Sequence, residues 1–113
     1  MTDLCAVADV PDGGALLVPN GEAGVVLVRD GDAVYAYENR CPHFGIPLEI
    51  GRGVKTFRKH VLCVNHYAAF RFEDGACVDG PCLGASLAPV GIAIADGRVA
   101  ARQGTAETPL AEM

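Results

Sequence analysis

Asp or Asn is followed directly by Gly at Asp12-Gly13, Asn20-Gly21, Asp30-Gly31, Asp74-Gly75 and Asp96-Gly97. Such pairs supply the positive φ that tight hairpin turns need. No stretch between them carries a sustained 3.6-residue apolar period with caps, so the short apolar runs read as strands. Val25 to Val28 is a continuous run, as expected of a strand buried on both faces, and Ala33 to Tyr37 returns to pair with it. Val61 to Val64 is a third run. Phe70 and Phe72 alternate with Arg71 and Glu73, and Ala76 to Val78 closes a hairpin after Asp74-Gly75. Val90, Ile92 and Ile94 alternate with small residues, and Arg98 to Ala101 returns after Asp96-Gly97. The pattern predicts an all-β chain of about seven to nine short strands in a sandwich or small barrel.

The 113 residues suit one domain with a modest core, and a hydrophobic content of 50% argues against disorder of its body. A formal net charge of -5 disfavours nucleic acid, whose binding needs phosphate neutralisation, and suits basic partner proteins. Neither a basic n-region nor an apolar h-region follows Met1-Thr2-Asp3. The longest uncharged run, Gly80 to Ala95, is too short to span a bilayer and is broken by Pro81 and Pro89. A cytoplasmic location without membrane association is therefore expected. There is no internal repeat, and residues 104–113 read as a flexible tail behind a domain over 1–103.

The 5 cysteines of such a chain argue for metal ligation over a disulfide framework. Cys41-Pro42-His43 and Cys63-Val64-Asn65-His66 each offer one thiolate and one imidazole where a strand runs into a turn. Zinc accepts this donor set, but its paired ligands usually have two to four residues between them. Pro42 alone separates Cys41 from His43, which is awkward for a single ion. A two-iron cluster relaxes the demand, because the two cysteines can bind one iron and the two histidines the other. A zinc-binding interaction module remains the alternative. Between the pairs, Phe44 to His60 is rich in Gly and Pro and shows no clear strand. Loops of that length are usually functional or disordered.

Cys-x-His followed by Cys-x-x-His resembles the Rieske motif. Leu48 and Gly51 match the usual Leu and Gly of the intervening loop, Phe70 the aromatic position after the second histidine, and Asp74-Gly75 the usual turn. Gly80-Pro81 matches the proline loop that covers the cluster. The likeness spans about residues 35 to 90, and the flanking strands suit the rest of a Rieske fold: an antiparallel β-sandwich with a small cluster-binding subdomain, here about residues 40–83. Two departures stand out. The stretch between His43 and Cys63 is slightly long for the family, and Tyr67 replaces a frequent glycine. Neither removes a ligand.

The resemblance implies one 2Fe-2S cluster per chain held by Cys41, His43, Cys63 and His66. Rieske potentials span roughly −150 to +300 mV. High-potential relatives carry an extra cysteine in each loop and use a Ser and a Tyr to hydrogen-bond the sulfurs. Neither extra cysteine is present, and the matching positions are Ala68 and Phe70, which lack hydroxyls. A potential near the low end is expected. The chain is similar to soluble Rieske ferredoxins that carry single electrons from a flavin-dependent reductase to the terminal Rieske oxygenase of dioxygenase systems in aromatic hydrocarbon catabolism. It is expected to be such a carrier, monomeric, and not itself an enzyme. Only His60 remains once the ligands are assigned, too few for a 2-His-1-carboxylate iron site. The second functional class is the Rieske-like small subunit of an NADH-dependent nitrite reductase.

In such a fold the histidine iron lies near the surface, so Phe44, Ile46, Tyr67 and Pro81 would form an apolar docking rim, with Gly45, Ala68, Phe70 and Gly80 also close to the cluster. His60 reads as a surface residue beside Arg58 and Lys59. Arg52, Lys55, Arg58 and Lys59 make the chain's basic cluster, read as a solvated face or a partner contact. Cys77 and Cys82 read as free, buried packing residues, with a Cys77–Cys82 disulfide as the alternative. Cys5 reads as an ordinary strand residue.

Overall fold

The computed structural model describes residues 2–19, 24–40, 55–63, 68–80 and 84–102. Their strands form three antiparallel sheets. The first joins β1 (Thr2–Ala6), β10 (Arg98–Ala101) and β9 (Ile92–Ala95). The second joins β2 (Ala15–Val18), β3 (Val25–Asp30) and β4 (Ala33–Glu38). The third runs β5 (Lys55–Phe57), β6 (His60–Cys63), β7 (Ala68–Arg71) and β8 (Cys77–Asp79). Among the described residues, one 3-10 turn, Val7–Asp9, follows β1. The all-β, antiparallel expectation holds.

The β2–β3–β4 sheet is the middle layer, and its pleat divides the core. Val26, Val28 and Tyr37 face the four-stranded sheet, meeting Val61, Ala68, Phe70, Phe72, Cys77 and Leu87. Val25, Leu27 and Ala36 point the other way, onto Cys5, Val10, Val90, Val99 and Ala101. Successive side chains of a strand leave on opposite faces, so a strand with a core on each side must be apolar at every position. That is why Val25 to Val28 reads as an unbroken run, and all four are 2% exposed or less.

Ten strands are present among the described residues, more than the about seven to nine expected from periodicity. One of the additions, β5, corrects the reading of Phe44 to His60 as strandless. It pairs Lys55 with Leu62, Thr56 with Val61 and Phe57 with His60. The turn between them places Arg58 at φ 50 and Lys59 at φ 64. Both are left-handed, the conformation that tight hairpins demand and that Asn-Gly normally advertises. With Arg-Lys there, no turn signal was visible.

The other hairpins fall where expected. β3 and β4 pair from Val25–Glu38 to Asp30–Ala33, and β9 and β10 turn at Asp96-Gly97, with φ 53 and 75. Phe70 and Phe72 are buried while Arg71 and Glu73 are exposed, as the alternation implied. Asn20-Gly21 and the tail at 104–113 lie outside the described residues.

A strap of chain from Ala85 to Val90 stitches the middle sheet to the four-stranded sheet. On one side Cys77 N–H donates to Ala85 O (3.0 Å) and Leu87 N–H to Gly75 O (2.9 Å). On the other, Glu38 N–H donates to Ala88 O (2.8 Å) and Val90 N–H to Ala36 O (2.9 Å). Leu87, 1% exposed, is the strap's plug in the shared core.

Candidate metal centre

Of the four expected ligands, Cys63 lies among the described residues; Cys41, His43 and His66 lie outside them, as do Phe44, Gly45, Ile46, Tyr67 and Pro81. Cys63 is the last residue of β6 and pairs with Ala68, the first of β7. The segment carrying His66 is thus the connection that closes the β6–β7 hairpin. Across the next ladder Ala69 pairs with Asp79, and Gly80 follows with φ 98. Cys63, Ala68 and Gly80 therefore stand at one end of the four-stranded sheet. A positive φ of this size favours a residue without Cβ.

The chain reaches Cys41 by another route. β4 ends at Glu38, Asn39 N–H donates to Gly24 O (3.0 Å) and Arg40 precedes Cys41. Tyr37 is 3% exposed, and its hydroxyl donates to Phe72 O at 2.5 Å across the inter-sheet core. Burial, reinforced by nearby Asp74, Tyr35 and Glu73, pushes the phenol up to about 12, so Tyr37 stays protonated as a donor.

The positions matching the hydroxyl donors of high-potential relatives are both buried and apolar: Ala68 and Phe70 are 0% exposed. Neither side chain can donate a hydrogen bond. His60, the first residue of β6, is half-buried, and its Nδ1 meets Arg58 O at 2.8 Å. In the basic cluster, Lys59 pairs with Asp30 at 3.3 Å and the Arg58 guanidinium lies 5.2 Å from the centroid of the exposed Phe57 ring. Arg52 lies outside the described residues. Cys5 and Cys77 are buried free thiols, and Cys77 Sγ donates to Asp79 O (3.2 Å). The favoured reading of Cys77 holds; Cys82 lies outside the described residues. Burial first, then the Asp9 carboxylate, raises the Cys5 thiol above its ordinary value, which keeps it protonated and inert.

No group of three or more His, Cys, Asp or Glu among the described residues could hold a metal. The thiol-and-imidazole set of Cys41, His43, Cys63 and His66 suits a 2Fe-2S group of Rieske type, with two sulfur and two nitrogen donors on two segments. No helix among the described residues is long and apolar enough to cross a membrane.

Residues 1–101 match the family Rieske [2Fe-2S] domain. The chain belongs to that family, whose domain binds a 2Fe-2S cluster. It is similar to Apoptosis-inducing factor 3 of Mus musculus, with 36% identity over 69% of this chain and 12% of that protein. It is also similar to the ferredoxin component of the alkene monooxygenase system of Xanthobacter autotrophicus (strain ATCC BAA-1158 / Py2), with 34% identity over 65% of this chain and 58% of that one. The chain thus spans from about an eighth to just over half of the length of these relatives. Among solved structures, the Sphingomonas yanoikuyae B1 ferredoxin superposes with a TM-score of 0.74 at 24% identity, over 89% of this chain and 96% of that chain. A chain in the complex of reduced oxygenase and oxidized ferredoxin in carbazole 1,9a-dioxygenase superposes with a TM-score of 0.73 at 26% identity, covering 88% and 89%.

Proposed function

We propose that this chain is a one-electron carrier of ferredoxin type whose 2Fe-2S cluster is held by Cys41 and Cys63 on one iron and His43 and His66 on the other. The observation that carries the reading is the donor set itself, in a chain of the Rieske family, with Cys63 at the end of β6 and Gly80 at the same end of the sheet. When bound, such a cluster accepts and releases single electrons. The protein supplies its ligands, a rigid β scaffold behind them and an apolar wall. Ala68 and Phe70 offer no side-chain hydroxyl to stabilise added negative charge, which supports a potential low in the Rieske range.

The partners would be a flavin-dependent reductase as donor and a terminal Rieske oxygenase as acceptor. Similarity to an alkene monooxygenase ferredoxin and to a ferredoxin solved with its oxygenase supports this direction of flow. Phe44, Ile46, Tyr67 and Pro81 would line the docking rim, with acidic residues of this net-negative chain steering a basic partner. The Rieske body covers residues 1–103, its cluster part about 40–83, and the carrier works as a cytoplasmic monomer.

The test is anaerobic purification with iron and acid-labile sulfide assays, electron spin resonance of the reduced protein, and reduction by a flavin reductase at varied salt. Equal iron and sulfide, a Rieske-type spectrum lost in Cys41→Ser and His66→Ala, and salt-sensitive reduction are expected. A colourless protein holding one zinc ion would overturn the reading.

A further inference from the structure

The two expected ligand pairs depart from different sheets. Cys41 and His43 follow β4 of the middle sheet, and Cys63 and His66 follow β6 of the four-stranded sheet. A cluster that takes ligands from both feels any change in how those sheets sit against each other. Three features hold that joint. The strap from Ala85 to Val90 hydrogen-bonds to both sheets. The Tyr37 ring packs in the shared core, pressed by Gly75, where an added Cβ would lie 2.8 Å from Tyr37 Cε1 and 3.2 Å from Leu87 Cβ. The Tyr37 hydroxyl crosses the joint to Phe72 O, whose own N–H is committed to Lys59 O at 3.0 Å. Other links between the sheets lie in exposed positions, Thr56 Oγ1 to Gly13 O at 3.4 Å and Lys59 to Asp30.

We infer that Tyr37 is a positioning residue for the cluster: its hydroxyl, donating to Phe72 O, sets the spacing between the two ligand-bearing sheets and thereby cluster retention and electronic structure. This rests on the ligand assignment proposed above. The chain just after Tyr37 is tied down at Glu38 by Ala88 O and at Asn39 by Gly24 O, so displacement of Tyr37 is passed on toward Cys41 with little slack. Phe72 lies on the turn after β7, whose first residue pairs with Cys63. The hydrogen bond is buried and short, conditions under which it resists competition from water.

The experiment compares wild type, Tyr37→Phe and Val99→Ala, all loaded with iron and sulfide. Val99, on β10, is fully buried in the other core, so its truncation lowers general stability without touching the joint. Cluster loss to an iron chelator is followed by visible absorbance, and the g-values of the reduced protein by electron spin resonance. Tyr37→Phe is expected to lose cluster roughly three- to ten-fold faster than wild type, in line with one net hydrogen bond, and to shift the g-anisotropy. Val99→Ala is expected to keep the wild-type g-values. Gly75→Ala, whose Cβ would lie 2.8 Å from Tyr37 Cε1 and whose φ of +72 strains an L residue, disturbs the same joint while keeping the hydroxyl; it should shift the g-values as well and stands in if Tyr37→Phe does not fold. Wild-type g-values and chelator kinetics in Tyr37→Phe, or a change no larger than in Val99→Ala, would overturn this role and leave the electron-carrier reading intact. A wild-type protein without iron and sulfide would overturn both.

Discussion

Cys63 and Ala68 face each other across the last rung of the β6–β7 ladder. Opposed residues in antiparallel strands bring their Cβ atoms within about 5.5 Å, so whatever stands at 68 is a neighbour of an expected iron ligand. Ala68 is fully buried and its side chain brings no donor.

Ala68→Ser is expected to raise the midpoint potential by on the order of 20–60 mV, the one-electron equivalent of one net hydrogen bond to the reduced centre. Protein-film voltammetry reads the shift. An unchanged potential together with a lower unfolding midpoint would mean that the hydroxyl is buried without a partner, and would sink the idea.

The β5–β6 turn holds Arg58 and Lys59 in left-handed conformations that cost L side chains energy. Replacing the pair by Asn-Gly should stabilise the protein by about 1 kcal/mol, because glycine and asparagine adopt that region at less cost. The loss of the exposed Lys59–Asp30 pair offsets little of this gain. Thermal unfolding should show a higher midpoint; a fall would contradict the type of turn assigned.

Leu87→Ala empties the buried centre of the strap and should cost about 2–4 kcal/mol, measurable by urea denaturation. A cost below about 1 kcal/mol would show that the strap collapses onto the cavity and is not a fixed link between sheets.

At alkaline pH, Tyr37 predicts a defined loss. Its folded-state value of about 12 lies above the ordinary 10, so the unfolded chain gives up the phenol proton first. The stabilisation is complete below pH 10 and disappears as pH rises through 12. Denaturation midpoints of wild type should fall over that window more steeply than those of Tyr37→Phe. Parallel curves would refute it.

At the acid end the sign reverses. The Arg71 hydrogen bond, joined by Ala76 N–H, holds the Asp74 carboxyl below the usual range, and Arg98 does the same for Asp3. Both contribute stability above the ordinary carboxylate value that is lost as pH falls through their lower folded values. Asp74→Asn should flatten the acid limb of a stability–pH curve, and an identical limb would exclude the pair as a contributor.

Much of this architecture was legible from local rules. The Asp30-Gly31 and Asp96-Gly97 hairpins, the doubly buried Val25–Val28 strand and the Phe70/Phe72 alternation follow from turn chemistry and pleat. β5 was hidden because Arg58-Lys59 carries no turn signature; its strain is held by ladder bonds on either side. Ile94, on the apolar side of a predicted alternation, is 45% exposed, since the alternation continues past the end of the core that buries Val90.

The residue types themselves carried the expected chemistry: two thiols and two imidazoles, with Pro42 alone between Cys41 and His43, are a property of spacing that folding does not add. The absence of hydroxyls at Ala68 and Phe70 was equally readable. Only the tertiary structure decided that β3 lies between two cores, that a strap from Ala85 to Val90 sews two sheets together, and that Tyr37 reaches Phe72. Those contacts join residues far apart in the chain. Nothing local encodes them, because the distance between two strands is set by every side chain packed in the space between.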